Sequence, residues 1–345
     1  MGNEKSYEAI IEEIHSGLTG TAEDDIRYLQ QKISEYEEHE DRDRIAGICG
    51  QMIYGLLPED LKEEFSSLNG AMRLGIDEYS AEAAQLLCDG NSEGAAKKLE
   101  EGIAVFEDSD LYHEKDGVPF YDFRKPMEEA LFREEHGFEK RIKLIPEPVV
   151  GLYRMYAGIL YERGEYEKAL VHLEKALRYN PYHQKTSIEY ADNLRELGRL
   201  EEFKDKITDT FTFAYEPEAL GKCYRRLGWY FSEKEKWDPA AVCAILAGKY
   251  DDNNEVLKQE KEYIRNKAGD DFVIPQEDEF ESIAAENGFP SEPDMYLTAI
   301  ANTAAKEFEE IGNVAAAKYF YNILYDLTRD EEIRRKIGSL QDRMS

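Results

Sequence analysis

The sequence is short of cysteine, of positive charge and of long apolar runs, and each shortage excludes something. Its 345 residues include four cysteines, Cys49, Cys88, Cys223 and Cys243. None forms a C-x-x-C pair, which argues against a zinc or redox motif and against a disulfide framework. Each falls in a segment of helical pattern and reads as a small buried thiol. Lys and Arg number 43 against 74 Asp and Glu, for a net charge of −31. A generic nucleic-acid binder carries the opposite sign, and an anionic membrane surface would repel this chain. No stretch approaches the roughly 20 apolar residues that cross a bilayer, and the N-terminus lacks the apolar core of a signal peptide. A cytoplasmic location is the expectation. Met1-Gly2-Asn3-Glu4-Lys5-Ser6 formally fits an N-myristoylation pattern. The first 70 residues are net −11, however, so the polybasic second signal is missing and the match reads as coincidence.

Catalytic and metal signatures are missing too. There is no G-x-S-x-G, no phosphate-cradling glycine loop, and no H-E-x-x-H among the six histidines. Asp108, Asp110, His113, Glu114 and Asp116 form an acidic loop, but Gly117 is in the wrong place for a calcium loop. No metal and no cofactor is expected, no catalytic residue is assigned, and the chain reads as a non-enzyme.

What is present is a foldable mixture, 42% hydrophobic and 34% charged. Its charge is uneven. Residues 1–70 are net −11, 71–149 net −9 and 251–345 net −11, whereas residues 150–250 balance 16 basic against 16 acidic groups. The same central stretch carries the clearest pattern. From Val150 it reads Tyr153, Tyr156, Ala157 and Leu160, the turn Arg163-Gly164-Glu165, then Tyr166, Ala169, Leu173, Ala176, Leu177 and Asn180-Pro181. Small residues let two helices approach, Gly164 breaks between them, and Pro181 ends the second. A shift of 34 residues brings the pattern back as Ala191, Leu194, Gly198, Leu200, Phe203 and Ile207. A third copy shows Gly228, Phe231, Trp237, Ala240, Ala244 and Ala247, with Glu235 where the turn glycine would be. Further copies start at Thr298 (Ala305, Phe308, Gly312, Val314, Ala317, Tyr321) and at Ile76 (Ala83, Leu86, Gly90, Ala95, Leu99).

These positions resemble the tetratricopeptide (TPR) repeat, a helix–turn–helix unit of about 34 residues. The resemblance implies an all-α fold, a right-handed superhelical solenoid of TPR-like helix-turn-helix repeats. The expected organisation is an N-terminal helical cap or degenerate repeats over 1–75 and a TPR-like repeat over 76–109. A loop-rich insertion with one helix, from Pro126 to about His136, occupies 110–149. Three consecutive repeats follow over 150–254, connecting helices and loop over 255–297, and a repeat with a capping helix over 298–345. A short helix is expected from Glu277 to Glu286, ending at Asn287-Gly288. No period-two alternation appears, so no significant sheet is expected.

The resemblance also implies a concave groove lined by the first helix of each repeat, where partner peptides bind. The candidate groove residues are Arg154, Tyr161, Lys185, Arg195, Lys222, Arg225, Arg226 and Trp229. Arg, Tyr and Trp are the side chains that most often anchor interfaces. The bland alternative is a solvated face whose cations pair with Glu162, Glu189 and Glu196. A carboxylate clamp known in some family members would map to Arg154, Gly158, Glu189, Lys222 and Arg226. Gly158 and Glu189 stand where it needs Asn, so the clamp is not expected. Trp237 sits at a turn-packing position and reads as core, and His172 and His183 as surface or groove residues. The function expected is a non-catalytic scaffold for a protein or peptide segment, acidic segments included, with no nucleic acid and no membrane partner. The alternatives are a peptide-responsive regulatory sensor acting on a protein partner, and an enzyme whose pocket the 108–149 insertion closes.

Overall fold

The computed structural model describes residues 5–37, 39, 41, 42, 45, 48, 49, 52, 53, 56, 74–109, 111, 112, 114, 117–250 and 254–342. The myristoylation pattern's first four residues, and Asp110, His113 and Asp116 of the acidic loop, lie outside them. The chain divides into two compact units, residues 1–73 and 74–345.

In the first unit, α1 (Tyr7–Ser16) and α2 (Ala22–Glu35) bury Ile10, Ile14 and Leu29 with Ile45 and Cys49. Asp25 fastens the turn between them by accepting from the backbone N–H groups of Thr19, at 2.6 Å, and Gly20, at 3.0 Å. Glu13 accepts from Lys32 at 2.5 Å, and the Lys32 and Lys5 ammonium groups hold its carboxyl down at about 2.

The second unit is an all-α solenoid of helical hairpins. Its helices are α3 (Ile76–Cys88), α4 (Ser92–Glu107), α5 (Pro126–His136), α6 (Val149–Glu162), α7 (Tyr166–Tyr179), α8 (Gln184–Glu196), α9 (Leu200–Thr210), α10 (Pro217–Glu233), α11 (Trp237–Tyr250), α12 (Asn254–Ala268), α13 (Phe280–Asn287), α14 (Met295–Glu310), α15 (Val314–Thr328) and α16 (Glu331–Asp342). The hairpins α6/α7, α8/α9 and α10/α11 close in one way. The N–H of Glu165 donates to the carbonyl of Leu160 at 2.8 Å, that of Arg199 to Leu194 at 2.9 Å, and that of Lys236 to Phe231 at 2.9 Å. Such a bond needs a left-handed residue at the bend. Gly164 and Gly198 supply it freely, at φ +73° and +72°. Glu235 adopts the same conformation at φ +55°, at the cost of strain a glycine would not carry.

Small residues set the helix spacing, as the sequence implied. Ala169, Ala176, Ala191, Ala240 and Ala247 are fully buried. A Cβ built on Gly228 would stand 3.4 Å from that of Cys243, so α10 and α11 meet almost backbone to backbone. Trp237 is half-buried against the core. Of the cysteines, Cys49, Cys223 and Cys243 are buried as expected. Cys88 is exposed: it is the last residue of α3, where the helix leaves the hairpin seam.

Tyrosine hydroxyls take up part of the acidic excess. Tyr153 donates to Glu107 at 2.8 Å, Tyr190 to Glu174 at 2.9 Å and Tyr230 to Glu201 at 2.8 Å. Glu107 and Glu201 are each shared with a lysine as well, Lys175 at 2.6 Å and Lys234 at 2.9 Å, in a chain where acids outnumber bases.

Between α4 and α6 the chain departs from the repeat. Phe120–Tyr121 and Lys143–Leu144 pair as a two-residue parallel ladder around α5, the one sheet among the described residues. Three buried carboxylates anchor this insertion. Glu147, wholly buried, accepts from the N–H groups of Leu74 and Ile76, at 2.7 and 2.8 Å, and from the Tyr112 hydroxyl at 2.6 Å, and so caps the start of α3. Asp122 accepts from Val150 N–H at 2.8 Å at the start of α6. Glu128 accepts from the N–H groups of Arg124 and Lys125 ahead of α5. A helix N-terminus is where a carboxylate is most stable without a cation, because unpaired N–H groups and the helix dipole converge there. Helix α5 also meets α14, and Met127, Leu131 and Phe132 join the core that holds Leu297 and Ala301. The 277–286 helix expected from sequence is a short 3-10 turn, Glu277–Glu279, running into α13 and ending at Gly288, φ +71°.

Candidate functional site

The first helices α6, α8, α10 and α12 lie side by side, and the candidate residues project from them in register with the repeat. Tyr161, Arg195 and Trp229 are spaced 34 residues apart, one on each of α6, α8 and α10. They touch in sequence. The Arg195 guanidinium donates to the Tyr161 hydroxyl at 3.4 Å and lies 5.4 Å from the Trp229 ring centre. Trp229 in turn meets Phe203 edge-on, with ring centres 5.7 Å apart. One further step of 34 arrives at Tyr263 on α12, which keeps 48% of its surface exposed. The sequence reading missed Tyr263. The signal that finds it is the repeat period applied to the exposed face rather than to the core positions.

Three of the six basic members are joined from helix to helix, and two pair within their own helix. Arg154 donates to Glu189 through two nitrogens, at 2.9 and 2.7 Å. Arg226 donates to Asp192, with its Nε at 2.8 Å. Arg195 pairs with Glu196 at 2.7 Å, and Arg225 with Glu260 at 3.1 Å. Lys222 pairs with Glu218 one turn back. Lys185 is exposed and enters no ion pair among the described residues. The basic surface expected of this face is therefore neutralised at contact distance. The reason is the repeat itself, which sets a carboxylate 34 or 35 residues from Arg154, Arg225 and Arg226 on the neighbouring first helix. Glu189, which would have repelled a partner's carboxylate, is held by Arg154.

Helix α10 divides the candidates between two clefts. Lys222 and Arg226 face α8 across a cleft of about 300 Å³ that also takes Lys185, Ile188, Glu189 and Asp192. Arg225 and Trp229 face α12 across a cleft of about 320 Å³. Arg154, Tyr161 and Arg195 line neither. His183 is not a groove residue. Its Nδ1 accepts from Thr186 N–H at 3.2 Å and caps α8. Burial and the nearby Arg154, Lys125 and Lys185 push its pKa down to about 3, so the ring is neutral. His172 is half-buried against Tyr156, with ring centres 4.7 Å apart.

Among the described residues no group of three or more His, Cys, Asp or Glu has the arrangement of a metal site, and no helix is long and apolar enough to cross a membrane. No protein-family model matches the sequence, and no curated protein matches it. Among solved structures, one described as "Functional Characterization of Pseudomonas Aeruginosa pilF" is similar at 14% identity and a TM-score of 0.38, over 76% of this chain and 96% of that one.

Proposed function

We propose that the chain is a non-catalytic scaffold that takes a segment of a protein partner on the face formed by α6, α8, α10 and α12. The observation that carries this reading is the row Tyr161, Arg195, Trp229 and Tyr263, which repeats every 34 residues and runs unbroken over four first helices. A row of aromatic and guanidinium groups held at fixed spacing suits an extended chain, because it offers equivalent anchors at regular intervals. The clefts on either side of α10 add shape to it. A sensor that alters its helix spacing on binding would use the same face. The enzyme alternative draws no support from the insertion, whose Asp122, Glu147 and Phe132 are spent on capping and packing. A preference for acidic partners draws none from the paired cations.

The reading is tested by site-specific photocrosslinking in the native organism's lysate. A crosslinker at Lys185, exposed on α8, is compared with one at Val171, exposed on the second helix α7. The expected result is a discrete protein adduct from position 185 that Trp229→Ala abolishes. An adduct from position 171 alone, or one indifferent to Trp229→Ala, overturns the proposal.

A further inference from the structure

At the start of α10, three stretches far apart in the chain meet around a cleft of about 470 Å³. The start of α5, the start of α10 and the face of α15 from Tyr319 to Asp326 supply its walls, and Tyr215, only 1% exposed, lines it too. The hydroxyls of Tyr215 and Tyr319 are both enclosed, and neither finds a hydrogen-bond partner among the described residues. They lie close enough to interact, and Tyr319 also faces the Met127 backbone, but without hydrogen-bonding geometry. Burial raises both phenols above their ordinary value, so each stays a neutral hydroxyl. A buried polar group without a partner costs stability, which makes two at one cleft an uncommon arrangement.

The charged groups that line the cleft are already paired. Lys125 pairs with Glu216, Lys222 with Glu218, and Arg329 with Asp326, the last at 3.5 Å. Glu128, whose charge reaches both tyrosines, accepts from the N–H groups of Arg124 and Lys125. No charge is left over to select an ion. The groups that remain are neutral hydrogen-bonders and acceptors. They are the two hydroxyls, the exposed Asn322 amide and the second oxygen of each paired carboxylate. Pro217 and Ile323 add apolar surface.

We propose that this cleft binds a neutral polyol, a sugar or cyclitol. The ligand's hydroxyls accept from Tyr215 and Tyr319 and donate to the second carboxylate oxygens, because a hydroxyl does both. Its C–H face covers Pro217 and Ile323. The volume is that of a small-molecule site. An ion of either sign gains less, because it must break a pair already made. The site is independent of the scaffold reading, and its ligand ties the insertion to the α14/α15 hairpin.

The test is saturation-transfer NMR on the full chain with a panel of neutral hexoses, inositols and alditols, and with glucosamine and glucuronate as charged counterparts. The expected result is contact with a neutral member, which also raises the thermal midpoint. Affinity for it falls about tenfold in Tyr319→Phe and in Asn322→Ala. Tyr215→Phe deletes only the buried hydroxyl. It weakens binding likewise and raises the midpoint of the unliganded chain, because an unpaired polar atom has gone. Contact with no neutral member, contact with the charged counterparts alone, or affinity indifferent to the three substitutions overturns the proposal. A lower unliganded midpoint for Tyr215→Phe overturns it as well, since the hydroxyl would then already have a partner such as a buried water.

Discussion

The repeat array and the insertion ahead of it use carboxylates in opposite ways. From α6 to α12, partly exposed acidic groups meet Arg on a neighbouring helix, as Glu189 meets Arg154 and Asp192 meets Arg226. Such pairs keep much of their hydration and add little stability each. In the insertion, Asp122, Glu128 and Glu147 are buried and all accept from backbone N–H groups, Asp122 meeting Arg124 as well. There each carboxylate satisfies donors that would otherwise stay unpaired in the interior, so its loss is expensive. Acidic groups on the array set register and charge; those in the insertion hold it together.

The sharpest way to break that comparison is to remove one carboxylate of each kind. Glu147→Ala strands the N–H groups of Leu74 and Ile76 and the Tyr112 hydroxyl, all within its reach at 2.6–2.8 Å. Unsatisfied buried donors cost about 1–3 kcal/mol each, and partial rescue by water leaves an expected loss of about 4 kcal/mol in urea unfolding. Glu189→Ala should cost about 1 kcal/mol or less. Equal losses would erase the distinction between the two regions.

Packing inside a hairpin gives the next largest effect. Ala169 is fully buried where α7 meets α6. Ala169→Leu should lower the urea midpoint by an amount equivalent to about 1–3 kcal/mol, because the close-packed seam has no room for three more carbons. An unchanged midpoint would mean that the seam is not the close contact described here.

That seam was legible in the sequence, as were the turn residues, because small residues and glycines recur at 34-residue spacing and nothing else explains them. Glu235 was legible only as a departure from the pattern, yet the backbone follows the pattern regardless. The insertion was not legible. Asp122 and Glu147 look like any other acidic residue until the fold brings distant N–H groups to them, and the reading of 110–149 as a loop-rich insertion with one helix missed the ladder strand at 143–144. The meeting of α5 with α14 was equally hidden, since it joins residues far apart in the chain. It also means that the array is not coupled through nearest neighbours alone, as a simple solenoid would be. The candidate site was half legible. Residue type picked out Tyr161, Arg195 and Trp229, but the carboxylates that neutralise the basic members become visible only when adjacent helices are aligned.

The pH dependence of the insertion follows from Asp122. Burial, against the opposing pull of Val150 N–H and Arg124, raises its carboxyl from 3.8 to about 6. A raised acid pKa means that the folded chain binds this proton more tightly than the unfolded chain. Its stabilising contribution is full below about pH 4 and is lost as pH rises through about 6. Asp122→Asn keeps an acceptor for Val150 and removes the buried charge. It should stabilise the protein by about 2 kcal/mol near pH 7.5, and the gain should vanish near pH 4. His183 titrates in the reverse sense, losing stability as pH falls below 6.5, so the difference between the two chains, not the wild-type profile alone, isolates Asp122. A gain that persists unchanged at about pH 4 would assign the effect to something other than this ionisation.

The smallest expected effect lies at the turn where the array departs from its own rule. Glu235 holds φ +55° in a bend that Gly164 and Gly198 form without strain, and its side chain is exposed. A non-glycine residue in the left-handed region costs about 1–2 kcal/mol. Against that, glycine loses more backbone entropy on folding, by roughly 0.5–1 kcal/mol. The two terms nearly offset, and Glu235→Gly should stabilise the fold by about 0.5 kcal/mol. The converse change, Gly198→Glu, should cost somewhat more than that, because the present turn is unstrained. Urea midpoints of the two variants against wild type give the comparison. If Glu235→Gly destabilised the chain while Gly198→Glu left it unchanged, the two bends would not be equivalent, and the three central hairpins would close by different means despite their matching hydrogen bonds.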